Sequence, residues 1–179
     1  MKRHVALLRG INIAKAKRVA MAGLRETMQG LGYENVRTLL NSGNVVFDAG
    51  AGTPASHARR LRAAVLQQHG VDAEVIVKTA AEIAAALAEH PSMQHADDDA
   101  RMLVMFVQDA SALGKLKPLE KADWSPEALA VGRHAAWLWC ASGIVKSPLA
   151  AAVGKALGPV GTARNRATLA KLDALARDP

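Results

Sequence analysis

The chain has 179 residues, 50% of them hydrophobic, and its 23 Lys and Arg against 16 Asp and Glu leave a formal charge of +7. That apolar fraction excludes long disorder and suffices for one sizeable core or two small ones, and no apolar run approaches a membrane span. The positive balance favours anionic partners such as phosphates, nucleotides or nucleic acid, but it identifies no reaction.

In chain order, residues 4–11 are an apolar run closed by Arg9 and Gly10, which predicts a buried strand. The Met1-Lys2-Arg3-His4 start leads into an apolar stretch too short for a signal peptide's core. A basic loop with Lys15, Lys17 and Arg18 comes next, then a helix whose Met21, Leu24, Met28 and Leu31 recur at helical spacing, with Gly32 as its stop. Residues 36–40 and 45–47 read as strands around a tight Ser42-Gly43 turn. Thr53-Pro54 supplies an N-cap and first-turn proline for a helix reaching His69, with Gly70 as its stop. Residues 75–77 are a fourth strand. Strand, helix, strand, strand, helix, strand is the order of a ferredoxin-like sandwich.

A helix centred on Ile83 and Leu87 follows, and then the order repeats less regularly. Residues 102–107 predict a strand, 111–117 a short helix, and 129–131 with 135–140 a hairpin around Gly132-Arg133-His134. Ser147-Pro148 caps a helix ending at Gly158-Pro159, the last strand falls to the short 161–163 segment, and 166–176 is a final helix. The expected architecture is α+β, two ferredoxin-like βαββαβ subdomains over residues 1–78 and 79–179, packed as one unit.

In such a sheet the spatial order is 4, 1, 3, 2, so the end of strand one shares an edge with the turn between strands two and three. Arg9, Asn12, Asn41, Ser42 and Asn44 are therefore expected together, beside Lys15, Lys17, Arg18 and a helix start. Backbone donors and cations there suit a phosphate or carboxylate. The competing reading of the Asn and Gly residues is plain turn geometry, since both tolerate positive φ. A third cluster, Thr162 to Thr168, brings Arg164 and Asn165 to the start of the last helix; Asn165 is either its N-cap or, with Arg164, part of an anion site.

Other chemistry finds little support. His90 and His95 near Asp97, Asp98 and Asp99 lack metalloprotease or zinc-site spacing, so no metal and no cofactor are expected. Ser42 lacks a nucleophile-elbow context, and no glycine run matches a Walker loop or dinucleotide fingerprint. The single Cys140 sits in an apolar run, which excludes an intramolecular disulfide and points to an inert thiol in a reducing cytoplasm. Trp137 and Trp139 share a strand face and read as core. A basic ferredoxin-like sheet is also an RNA-binding plan, yet strand one carries no aromatic and strand three only Phe47.

Leu8-Arg9-Gly10-Ile11-Asn12, Asn41-Ser42-Gly43-Asn44-Val45-Val46-Phe47 and Thr162-Ala163-Arg164-Asn165, taken in order, resemble the bacterial family called domain of unknown function 1697. The resemblance implies a pair of ferredoxin-like subdomains and carries no activity. The segment that is usually Arg-Asn-Trp-like reads Arg164-Asn165-Arg166 here. The expected function is binding of a small anionic ligand. The alternatives are a nucleic-acid module using Arg59, Arg60 and Arg62, and an interaction domain with free sheet edges.

Overall fold

The computed structural model describes residues 1–13, 17–93 and 96–178. Its contacts form two compact units, residues 1–81 with 172–179, and residues 82–171.

The first unit contains β1 (Lys2–Leu8), α1 (Met21–Gly30), β2 (Glu34–Leu39), β3 (Asn44–Ala49), α2 (Pro54–His69) and β4 (Val75–Thr79). The strands form one antiparallel sheet in the order β2-β3-β1-β4, the expected ferredoxin-like arrangement. Strand alternation turns Ala6 and Leu8, Val45 and Phe47, and Val75 and Val77 to one face. There they meet Leu24 and Met28 of α1 and Leu61 and Val65 of α2, each pair one helical turn apart.

The ends of α2 follow their residues: Thr53 accepts from the Ser56 amide, the Ser56 hydroxyl sits on the Thr53 amide, and Gly70 closes the helix at φ 66°. β1 ends earlier than the 4–11 run suggests, because Gly10 turns the chain at φ 68°.

The second unit begins within α3 (Ala80–Ala88) and adds β5 (Met102–Val107), α4 (Lys117–Glu120), β6 (Ala128–Val131), β7 (Ala136–Trp139), α5 (Pro148–Leu157) and β8 (Gly161–Asn165). Its sheet order, β6-β7-β5-β8, is the same permutation as in the first unit. Here the first helix of the repeat is a 3-10 run, Ala110–Leu116, leading into the single turn of α4, because Gly114 and Pro118 interrupt a regular helix. Leu149, Val153 and Leu157 of α5 pack with Leu103, Met105 and Leu138 of the sheet. Cys140 is free and buried, and burial pushes its thiol pKa up. Trp137 and Trp139 are buried as well.

α6 (Arg166–Arg177) starts in the second unit, and from Leu172 onward the chain belongs to the first. Two arginines account for this. Arg37 donates to Leu175 O at 2.9 Å and to Asp178 O at 2.8 Å, and Arg3 donates to Asp178 O at 2.6 Å.

Candidate functional site

Because β3 lies beside β1, Leu7 is opposite Asn44, and the Leu8 amide donates to Gly43 O at 2.8 Å. The end of β1 therefore touches the β2–β3 turn, as the sheet order requires. Gly43 is necessary at this approach: at φ 80°, a Cβ on it would lie 2.7 Å from Leu8 Cβ.

Asn12 joins the two segments. With φ 57° it sits in the left-handed region. Its Oδ1 accepts from the Val19 amide at 2.9 Å, and its Nδ2 donates to Val19 O at 2.9 Å and Asn41 O at 2.8 Å. A cavity of about 410 Å³ opens there, with Asn12, Arg18, Val19, Ala20, Met21 and Asn41 as its described walls.

The cavity lies at the start of α1, and the sequence explains its electrostatics. Ala20 occupies the N-cap position with extended backbone (φ −65°, ψ 135°) but has no side-chain acceptor for the first-turn amides. No acidic residue lies in that turn. The first-turn amides, which the N-cap side chain leaves unbonded, and the positive end of the helix dipole thus lie beside the exposed Arg18.

The other expected site residues are placed differently. Asn44 is fully buried, and its amide donates to Leu39 O at 3.0 Å and Ser42 Oγ at 2.9 Å, so it holds the turn and does not face a ligand. Ser42 is exposed on the same turn. Arg9 is half-buried, with its amide bonded to Glu74 O. Lys17 reaches Asp72 O with its Nζ at 3.2 Å, and Lys15 lies outside the described residues.

Arg164 and Asn165 belong to the second unit. Asn165 Oδ1 accepts from the Thr168 amide at 2.9 Å, which is the capping reading. Arg164 donates to Thr162 Oγ1 and Ala163 O, and burial brings its pKa down to about 10.

Of the α2 arginines, Arg62 pairs with Asp72 and Glu74, whereas Arg60 donates to Leu31 O and lies over the Tyr33 ring. Among the described residues, no His, Cys, Asp or Glu group could hold a metal ion, and no helix is long and apolar enough to cross a membrane.

Sequence reasoning missed a polar cluster beneath α2. His57 is buried, its Nδ1 is 3.0 Å from the Tyr33 hydroxyl, and its ring contacts His4 and Phe47. Burial holds the His57 pKa below the usual histidine range, with electrostatic interactions from the neighbouring His4 and Arg60 side chains adding to the effect. The available signal was the helical spacing of His57 with Leu61.

Comparison with known proteins adds the following. The model of a family described as protein of unknown function (DUF1697) matches residues 1–137. No curated protein matches the chain. Among solved structures, the conserved bacterial protein SP0830 from Streptococcus pneumoniae is similar, with a TM-score of 0.75, 21% identity and 98% of each chain covered. At that identity the likeness establishes the fold.

Proposed function

This chain belongs to the DUF1697 family of proteins of unknown function, and we propose that it binds a small anionic ligand, bearing phosphate or carboxylate, in the cavity at the start of α1. The observation that carries this reading is the combination of an uncapped helix N-terminus with an arginine on the same cavity wall. Either element alone is common; together they supply directed N–H donors and a full positive charge to one volume. The first-turn amides hold the anion, Arg18 neutralises it, and Asn12 fixes the loop that carries Arg18. Arg9 and Lys17 add to the local positive field. A cytoplasmic location fits the lone buried thiol.

Thermal-shift and calorimetric titration with inorganic phosphate, sugar phosphates, dicarboxylates and a short oligonucleotide tests the proposal, because a ligand specific to the folded state raises its stability. Small anions should bind saturably to the wild type and at least tenfold more weakly to a folded Arg18→Ala variant. Unchanged affinity in that variant would remove Arg18 from the site. Binding of the oligonucleotide alone, steeply weakened by salt, would replace the proposal with the nucleic-acid alternative.

A further inference from the structure

The cavity at the start of α1 has a volume of about 410 Å³. That lies within the roughly 300 to 1,000 Å³ of small-molecule sites and is more than a phosphate or carboxylate group fills. With an anion on the first-turn amides, the remaining volume belongs to the rest of the ligand, and the surrounding residues restrict what that part is.

A sugar or other polyhydroxylated group needs neutral hydrogen-bonding side chains. Among the described walls these are Asn12 and Asn41. Asn12 is already spent: its Nδ2 donates to Val19 O and Asn41 O, and its Oδ1 accepts from the Val19 amide. At the helix start the walls are exposed Ala20 and half-buried Met21, whose side chains are apolar.

Two further apolar side chains lie next in sequence to wall residues. Ile13 follows Asn12 and is 68% exposed, and Leu40 precedes Asn41 and is 55% exposed. The 2.8 Å hydrogen bond from Asn12 to Asn41 ties their two segments together. Leu40 also has φ 59°, a left-handed conformation that costs a leucine energy. Asn or Gly would hold this position without that strain and without exposing a large apolar group. Folding therefore gives no reason for leucine here, whereas strain of this kind persists at ligand clamps.

We infer, resting on the anion site proposed above, that its ligand is an amphiphilic anion: a phosphate or carboxylate attached to an aromatic or aliphatic group, with the apolar part held by Met21, Ile13 and Leu40. The amides and Arg18 fix the acid end, and the apolar side chains select what it carries.

The test holds charge constant and varies the neutral part. Calorimetry measures the full chain against methyl phosphate, glycerol phosphate and phenyl phosphate, and against acetate, lactate and benzoate. The aromatic member should bind at least tenfold tighter than the methyl and hydroxylated members of its series, as removal of a ring from water requires. Leu40→Asn relieves the φ strain, so this variant should melt no lower than the wild type. Combined with Ile13→Ser, it should bring phenyl phosphate to the affinity of methyl phosphate and leave methyl phosphate itself unchanged.

Equal affinity across a series, tightest binding of the glycerol or lactate member, or an aromatic preference that survives both substitutions would overturn the inference while the anion site stands. No binding of any of these anions by the wild type would remove the anion site and the inference with it.

Discussion

The side chain of Asn12 donates to the main-chain carbonyl of Asn41 at 2.8 Å, joining the loop after β1 to the β2–β3 turn across 29 residues of sequence. The same side chain closes its own loop through both polar groups of Val19. One residue thereby sets the position of Arg18 and the entrance to α1. Asn12→Ala removes all three bonds from a residue that also holds positive φ, and stability should fall by about 2 kcal/mol. Urea unfolding of the variant measures this, and a change within error would show that the loop is held by other contacts.

Two glycines with φ 80° make a controlled pair. An Ala Cβ at Gly43 would press on Leu8 Cβ at 2.7 Å and Ile11 Cδ1 at 2.9 Å, whereas at Gly32 nothing lies within 4 Å. Gly43→Ala should cost about 2 to 4 kcal/mol from backbone strain plus overpacking, and Gly32→Ala about 1 kcal/mol from strain alone. Chemical denaturation of both should show the difference; equal losses would mean that β1 and the turn separate freely.

Buried His57 gives stability an acid limit. Its folded pKa is depressed, mainly by burial. Above the ordinary histidine value of about 6.5, folded and unfolded chains are both neutral at this position and its contribution is intact. As pH falls below that value the unfolded chain takes up a proton that folded His57 resists, and stability declines until pH passes the folded pKa. The melting temperature should therefore drop between pH 7 and pH 5, and the His57 ring signals in NMR should titrate below the ordinary range. A His57 that titrates at or above 6.5 would contradict this.

The fold was legible where local signals agreed. Thr53-Pro54 and Gly70 bracket α2, and alternating residues such as Val45 and Phe47 mark a strand that buries them against helices. Because ferredoxin-like order fixes which strand ends meet, Asn12, Arg18 and Asn41 could be grouped before any geometry was known. What was not legible depends on burial. Asn44 and Asn41 look alike in sequence, but Asn44 is fully buried in the turn and Asn41 is exposed on the cavity wall. Glu127 follows a proline in a loop, a context typical of a solvated acid, and only tertiary packing encloses it. The C-terminal residues gave no local sign of Arg3 and Arg37, which bind them through main-chain carbonyls.

The uncapped start of α1 allows binding to be separated from folding in a single substitution. Ala20 already has the extended backbone of an N-cap, so Ala20→Asp places a carboxylate on the amides assigned to the ligand and should stabilise the fold by about 0.5 to 1 kcal/mol. The decisive measurement is calorimetric titration of inorganic phosphate and a panel of phosphate and carboxylate compounds into the wild type and this variant, with the melting temperature of each recorded. The account predicts saturable binding to the wild type and its loss in a variant that melts higher. Equal affinity in both proteins, or no small anion bound by the wild type, would contradict it.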